Sequence, residues 1–201
     1  IGAGRTDKGV HALGQCANFI SDKKIEDKKK FLNSINFFLR NHLISIIDIK
    51  KKKLDFNSRY NAKERIYRYN IVNRQSDLVI NNNRAWHVKK KLDLQLLIRG
   101  SKMLIGKHDF TAYRSSSCSA KTSIRKMNNI LIKKRENLIS IEFKSQSFLQ
   151  NQVRSMVGCL KSLSSKDWSL KTFKSVLKSK NRKLCATPAP AHGLYLVRIV
   201  Y

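Results

Sequence analysis

The 201-residue chain carries 42 lysines and arginines against 13 acidic residues, a formal net charge of +29 at pH 7, and 41% hydrophobic residues. This length and apolar content can support one core, or two small subdomains that share a cleft, but no apolar run reaches the roughly 20 residues of a membrane span and no segment resembles a secretion signal. The chain is therefore expected to be soluble and cytoplasmic, with a polyanion such as a nucleic acid as its partner, although a bias towards Lys, Asn and Ile accounts for part of the charge.

The first feature along the chain is a glycine-rich segment, residues 2–11 (GAGRTDKGVH), which we call the Asp7 loop. Its glycines permit a sharp turn and the close approach of a substrate, and Arg5 and Lys8 keep the Asp7 carboxylate ionised. The pattern predicts a reactive acid. An ordinary polar hairpin turn is the alternative, because Gly and Asp are also common in turns for local reasons.

Two known glycine motifs do not fit the Asp7 loop. A dinucleotide-binding fingerprint requires a third glycine where Asp7 stands, and a phosphate-binding P-loop requires Gly-Lys-Ser/Thr, whereas this chain has Lys8-Gly9. The loop is therefore not interpreted as a nucleotide site.

Hydrophobic periodicity predicts strands at 12–20, 44–49, 65–72, 84–88, 123–133, 138–144 and 194–201, and helices at 27–42, 93–105, 148–163 and 168–178. Gly106 is expected to end the second helix, and Glu136-Asn137 to form a tight turn. The order of elements predicts an α+β fold, with a mixed, mostly antiparallel sheet and helices packed on one face. Two pseudo-related α/β subdomains, residues 1–53 with the Asp7 loop and residues 54–201, are expected to flank a basic cleft.

Three further observations bear on function. Tyr67 and Tyr69 share a strand face, where Tyr67 is either a stacking platform or a half-buried core residue. Arg154 interrupts an apolar helix stripe, which indicates a carboxylate partner, unless the side chain extends to solvent from the helix edge. The four cysteines form no CxxC pair and have no histidine at metal spacing, so a reduced chain without a metal is expected.

Five sequence blocks occur in order: GAGRTDKGVHA at 2–12, the 56–60 stretch with RIYRY at 65–69, GKHDFTAYR at 106–114, FLQNQVRSMVGCL at 148–160 and APAHGLYL at 189–196. Together they resemble the TruA-type tRNA pseudouridine synthases over essentially the whole chain. The first block alone is a specific match, and the order of all five strengthens the resemblance.

The resemblance implies that Asp7 is the catalytic aspartate, that Tyr67 stacks on the target uracil and that Arg154 pairs with the aspartate. It implies a homodimer that grips tRNA and isomerises uridines at positions 38 to 40 of the anticodon stem-loop, without a metal or any other cofactor. The residues implied in substrate binding are Tyr67, Arg5, Phe56, Asn57, Ser58, Arg59, Tyr60, Ser117, Cys118, Ser119, Ala120 and Lys121.

These roles fit the chemistry of the reaction, in which the N-glycosidic bond breaks, the uracil rotates and the base rejoins the sugar through C5. Asp7 could attack C1′ or C6, or could assist departure to a glycal, and the sequence does not choose among these routes. Tyr67 could hold the flipped base and could also relay the C5 proton. Arg5 is expected to enter the space that the flipped base vacates, or to hold a phosphate.

The chain departs from the family pattern in two places. Asn151-Gln152 replaces the usual His-Met before Val153-Arg154, which makes the surroundings of the arginine more polar. Family members also carry a strand and a helix before the Asp7 loop, and without them a sheet edge and part of the core are expected to be exposed. The alternatives to an enzyme are a non-catalytic RNA-binding remnant and a general RNA-packaging protein that acts through charge alone.

Overall fold

The computed structural model describes all 201 residues, and a seven-stranded mixed sheet organises them. The strands are β1 (His11–Ala12), β2 (Glu64–Asn73), β3 (Trp86–Val88), β4 (Gly106–Asp109), β5 (Ile124–Arg135), β6 (Leu138–Ser145) and β7 (Leu194–Val200). The helices are α1 (Lys28–Leu39), α2 (Leu94–Leu104), α3 (Gln152–Ser164) and α4 (Leu170–Ser179), with short 3-10 turns at Thr111–Tyr113, Arg182–Leu184 and Ala191–Gly193.

The strands lie in the order β1-β7-β2-β6-β5-β4, and β3 pairs separately with β2. Four strand pairs are antiparallel, namely β2 with β6, β2 with β7, β4 with β5 and β5 with β6. Only the short strands β1 and β3 pair in parallel, with β7 and β2 respectively. The predicted α+β class with a mixed, mostly antiparallel sheet is confirmed, whereas the division at residue 53 and the pseudo-related subdomains stay predictions.

Helices α2, α3 and α4 share one hydrophobic core with the central strands. On β6 the buried side chains alternate as Ile139, Ile141 and Phe143, which is the pattern of a strand with one face against the core. Side-chain caps begin α2 and α4, where Asp93 accepts from the backbone N–H of Leu96 and Ser169 accepts from that of Thr172. Helix α1 is different, because none of its residues is buried.

Two local predictions were wrong. Of the predicted strand 12–20 only Ala12 lies in a ladder, as part of β1, because the segment bonds back on the Asp7 loop, with the backbone N–H of Ala3 donating to Cys16 O at 2.8 Å. Residues 44–49 form no strand, since the side chain of Asn36 takes both backbone groups of Ile46. Gly106 directly follows Ile105, the C-cap of α2, with a φ of 109°, so the predicted helix stop is confirmed, and it also begins β4, a strand that the GKHD sequence did not predict.

The seventh strand connects the Asp7 loop to the rest of the sheet. β1 pairs with β7 in the register His11 to Tyr195 and Ala12 to Leu196, and the backbone N–H of Leu13 donates to Leu196 O at 2.8 Å. β7 in turn pairs with β2, so that Leu196 lies opposite Tyr67. This arrangement brings the Asp7 loop, β7 and the Tyr67 strand together.

None of the four helices combines the length and the apolar character needed to cross a membrane.

Candidate active site

An ion pair joins the Asp7 loop to helix α3. Nη1 of Arg154 lies 2.9 Å from Oδ2 of Asp7, and the two side chains are 19% and 30% exposed. The guanidinium attracts the carboxylate at this distance, and partial burial reduces the screening of that attraction by water. The pairing that the sequence indicated is therefore present, and the carboxylate remains open to solvent.

Three contacts orient Arg154. Its Nε donates to Ala189 O at 2.7 Å, and the backbone N–H of Ala189 donates back to Arg154 O at 3.0 Å. Nη1, which also pairs with Asp7, donates to Oδ1 of Asn151 at 3.1 Å. The guanidinium is thus held by Asn151, which precedes its helix, and by the segment before β7.

Close backbone packing holds that segment against α3. A Cβ added at Gly158 would lie 2.2 Å from Thr187 O, so only glycine permits α3 to approach residues 187–189 this closely. Asn151 precedes α3 with a φ of 62°, in the left-handed region that Asn tolerates better than most residues. The position of Arg154 therefore depends on two backbone features that flank it.

The Asp7 loop is a tight turn that folds onto the sheet. The backbone N–H of Val10 donates to Asp7 O at 3.0 Å, and Gly9 has a φ of 84°. Ala3 is buried, while Arg5 and Lys8 are exposed on either side of the carboxylate. The loop thereby presents Asp7 with two cations at the solvent boundary.

Tyr67 lies on β2 beside this loop. Its ring packs edge-on against Phe148, with ring centroids 5.1 Å apart and an interplanar angle of 83°. Burial raises the pKa of Tyr67, a nearby Arg65 opposes that rise, and the negative charge of Asp7 adds to it. The phenol therefore stays protonated at neutral pH, and its electrostatic coupling to Asp7 indicates that the two groups are close.

Tyr69, on the same strand, has a structural position. It is fully buried, and its hydroxyl donates to Pro190 O at 2.7 Å. The two tyrosines thus differ, since Tyr67 reaches the edge of the site and Tyr69 supports the segment that holds Arg154.

The segment 56–60 borders the start of the chain. Phe56 packs edge-on against Tyr201 at 5.0 Å, and the side chain of Asn57 accepts from the backbone N–H groups of Arg59 and Tyr60. Arg59 and Tyr60 are exposed. Ser58 is fully buried instead, with its hydroxyl donating to Ile1 O at 2.8 Å, so this side chain faces the protein and not the solvent.

The loop 117–121 lies next to the beginning of α3, because the backbone N–H of Ser115 donates to Gln150 O at 3.0 Å. Ser117, Ser119 and Lys121 are exposed, whereas Cys118 and Ala120 pack partly against the core. Only the first group offers side chains to a ligand.

Sequence reasoning missed two partners of Arg154. Asn151 had been noted only as a more polar replacement, and its contact depends on a backbone conformation that the sequence does not reveal. The carbonyl of Ala189 has no side-chain signature at all, although the APAHG block drew attention to its neighbourhood. The described residues contain no group of three or more His, Cys, Asp or Glu side chains arranged to hold a metal ion.

Comparisons with known proteins match this chain closely. The family described as tRNA pseudouridine synthase matches residues 101–201. The tRNA pseudouridine synthase A of Pelagibacter ubique (strain HTCC1062) is 52% identical over 201 residues, which cover 100% of this chain and 82% of that protein. The proteins of the same name from Ehrlichia canis (strain Jake) and Ehrlichia chaffeensis (strain ATCC CRL-10679 / Arkansas) are 39% and 38% identical over 199 residues, which cover 99% of this chain and 81% of each relative. The first alignment includes the Asp7 loop as well as helix α3.

Proposed function

The chain belongs to the tRNA pseudouridine synthase A family, and we propose that it isomerises uridine to pseudouridine at positions 38 to 40 of the tRNA anticodon stem-loop, with Asp7 as the nucleophile. The observation that carries this proposal is the ion pair between Asp7 and Arg154 on an exposed glycine loop. The enzyme class, an isomerase that forms pseudouridine in tRNA, follows from the family. What we propose beyond the family assignment is the set of target positions, the role of Asp7 as nucleophile and the flipping of the target base.

The ion pair leaves one carboxylate oxygen free. Arg154 engages Oδ2 of Asp7, whereas Oδ1 receives no hydrogen bond from within the chain. A carboxylate that is ionised, oriented on one oxygen and open on the other is suited to attack an electrophilic carbon. Oδ1 is therefore the atom that we assign to the reaction.

The atoms of the reaction balance without any co-reactant. The C1′–N1 bond breaks, a C1′–C5 bond forms, and the proton on C5 leaves while N1 gains one. Asp7 can take part by bonding to C1′, by adding to C6 or by assisting a glycal intermediate, and all three routes use the same oxygen. Deprotonation at C5 is common to them and provides a direct measure of turnover.

Tyr67 is suited to hold the detached uracil. Stacking of a base on an aromatic ring contributes about 1–3 kcal/mol in nucleic-acid grooves. The edge-on contact with Phe148 fixes the orientation of the Tyr67 ring, so that a base can stack on it without a costly rearrangement. The protonated hydroxyl can donate a hydrogen bond but cannot serve as a base at neutral pH.

The target nucleotide must leave its stack to reach Asp7. Arg5 is exposed two residues from Asp7 and can enter the vacated space or hold a phosphate. Arg59 and Tyr60, and Ser117, Ser119 and Lys121 of the 117–121 loop, present exposed groups for the RNA backbone. We infer from the family that two copies grip one tRNA in the cytoplasm, without a metal or organic cofactor.

Release of tritium from tRNA labelled at uridine C5 tests the proposal. The protein should release tritium from a tRNA with uridine at positions 38 to 40, and should release none when those uridines are replaced by cytidine. Asp7→Asn should reduce release to less than about 1% while tRNA affinity changes less than about threefold. Asp77→Asn, which removes a charge from a surface pair with Lys89, is the matched control and should retain full activity.

Two outcomes would contradict the proposal. Residual release above about 1% in Asp7→Asn would remove Asp7 from the nucleophilic role. Binding of tRNA by the unaltered protein without any tritium release would instead indicate an RNA-binding remnant.

A further inference from the structure

Arg65 is a partly buried cation on β2 whose partners are all backbone carbonyls. Nη2 donates to Ala3 O at 2.8 Å and to Arg59 O at 2.6 Å, and Nη1 donates to Gln146 O. None of these partners is an acidic side chain. Burial lowers the pKa of Arg65, because it removes water from around the charged guanidinium.

The three acceptors belong to three separate parts of the chain. Ala3 belongs to the Asp7 loop, and Arg59 belongs to the 56–60 segment that borders the start of the chain. Gln146 lies between β6 and α3, just before Phe148, the residue that contacts Tyr67. A single guanidinium therefore bonds to the Asp7 loop, to a segment proposed to contact RNA and to the connection that leads to Arg154.

The position of Arg65 on β2 strengthens the assignment. It stands two residues before Tyr67, and its positive charge partly opposes the rise in the pKa of Tyr67. Packing alone would not require a charged group here, since a neutral side chain of similar size would fill the space without the cost of desolvation. The planar fork of arginine, in contrast with the single ammonium of lysine, can donate in several directions at once.

We propose that Arg65 is a positioning residue, which aligns the Asp7 loop with β2 and with α3 so that the carboxylate meets a base held at Tyr67. The inference rests on the proposed function of this site. It differs from a role in RNA binding, because three of the five N–H groups of the guanidinium already donate to backbone carbonyls of the protein. It also differs from a role in stability alone, because the predicted loss is in turnover by the folded protein.

The test compares Arg65→Ala and Arg65→Lys with the control Arg68→Ala. Arg68 lies on the same strand and pairs with Glu142 at 3.6 Å, so its removal also deletes a strand arginine but leaves the Asp7 loop untouched. For Arg65→Ala we expect kcat for tritium release to fall on the order of 100-fold, with KM and tRNA affinity within about threefold of the unaltered protein. Arg65→Lys should recover only part of kcat, and Arg68→Ala should retain full kcat.

Chemical rescue separates positioning from a merely structural role. Ethylguanidinium added to Arg65→Ala should raise kcat at least about fivefold, and ethylammonium at the same concentration should not, because only the planar ion can bond to several carbonyls. A fall in tRNA affinity that matches the fall in kcat/KM would overturn the proposal in favour of RNA contact. An unchanged kcat in folded Arg65→Ala would also overturn it. If Arg65→Ala does not fold, Arg65→Lys takes its place, and full kcat in folded Arg65→Lys would overturn the proposal.

Hydrogen exchange provides a readout that does not depend on activity. Two backbone amides of the Asp7 loop report on its attachment, because the N–H of Ala3 donates to Cys16 O and the N–H of Val10 donates to Asp7 O. In Arg65→Ala these two amides should exchange at least about tenfold faster than in Arg68→Ala, because the loop loses its attachment to β2. Equal exchange would overturn the proposal. Absence of tritium release by the unaltered protein would contradict the proposed function, whereas the exchange result would still decide the positioning role.

Discussion

Nη1 of Arg154 lies 2.9 Å from Oδ2 of Asp7, although the two residues are 147 positions apart in the chain. This contact joins a loop near the start of the sequence to a helix that belongs to the main core. Since neither side chain is fully exposed, removal of one leaves the other charge partly desolvated and without its partner. The contact therefore links the stability of the loop to its proposed chemistry.

Replacement of Arg154 should affect activity and stability together. Arg154→Leu should reduce tritium release at least about 100-fold and lower the free energy of unfolding by about 1–3 kcal/mol, less than for a fully buried pair because solvent reaches both side chains. Urea denaturation measures the second effect. In a double-mutant cycle with Asp7→Asn, additivity within about 0.3 kcal/mol would show that the two side chains do not interact energetically.

Two substitutions of Tyr67 distinguish stacking from proton relay. Tyr67→Phe retains the ring and should keep kcat within about threefold, whereas Tyr67→Leu should lose the stacking contribution of about 1–3 kcal/mol. Because burial raises the pKa of Tyr67 above that of an ordinary phenol, the pH profiles of Tyr67→Phe and the unaltered protein should have the same shape up to about pH 10. A collapse of kcat in Tyr67→Phe would assign proton relay to the hydroxyl.

Asn151 offers a test that separates the backbone from the side chain. Asn151→Gly keeps the left-handed conformation but removes the amide that contacts Arg154, so kcat should fall by about 3–10-fold with little change in stability. Asn151→Ala should show the same fall in kcat and, in addition, lose about 1 kcal/mol of stability through the strain of a positive φ. Thermal unfolding and tritium release measure the two effects. Equal kcat in all three proteins would remove Asn151 from the positioning of Arg154.

The neighbouring thiols of Cys159 and Cys185 should react differently with alkylating agents. Sγ of Cys159 lies 3.3 Å from Sγ of Cys185, and a hydrogen bond from Cys159, assisted by the charge of Arg182, lowers the pKa of Cys185. The same hydrogen bond and burial raise the pKa of Cys159. A lower pKa means more thiolate at a given pH, so iodoacetamide should modify Cys185 with a midpoint below the ordinary value of about 8.5.

Peptide mass spectrometry identifies the modified cysteine, and replacement of Cys16 and Cys118 by Ser simplifies the signal. Cys159→Ala should move the Cys185 midpoint upward, because the thiolate loses its hydrogen-bond donor. A midpoint for Cys185 at or above the ordinary value would show that the thiol pair does not share a hydrogen bond in solution.

Side-chain chemistry made part of the site predictable from the sequence. The single arginine in an apolar stripe indicated a carboxylate partner, and the resemblance to the family implied that this partner is Asp7. The Ala189 carbonyl and the left-handed backbone at Asn151 were not predictable, since backbone contacts depend on tertiary approach and not on residue type. The same limit applies to the fold, because the apolar residues at 44–49 gave a strand pattern although no neighbouring strand is there to pair with them.

The attachment of β1 to β7 has a consequence for the order of events during translation. The ribosome makes the Asp7 loop before any other part of the site, yet the strand that the loop joins is made after Arg154 and Tyr67. A nascent chain that already contains all three side chains still lacks residues 194–200, and the loop has no ladder to join. The loop can therefore join the sheet only after residues 194–200 have been synthesised, although its own residues are made first.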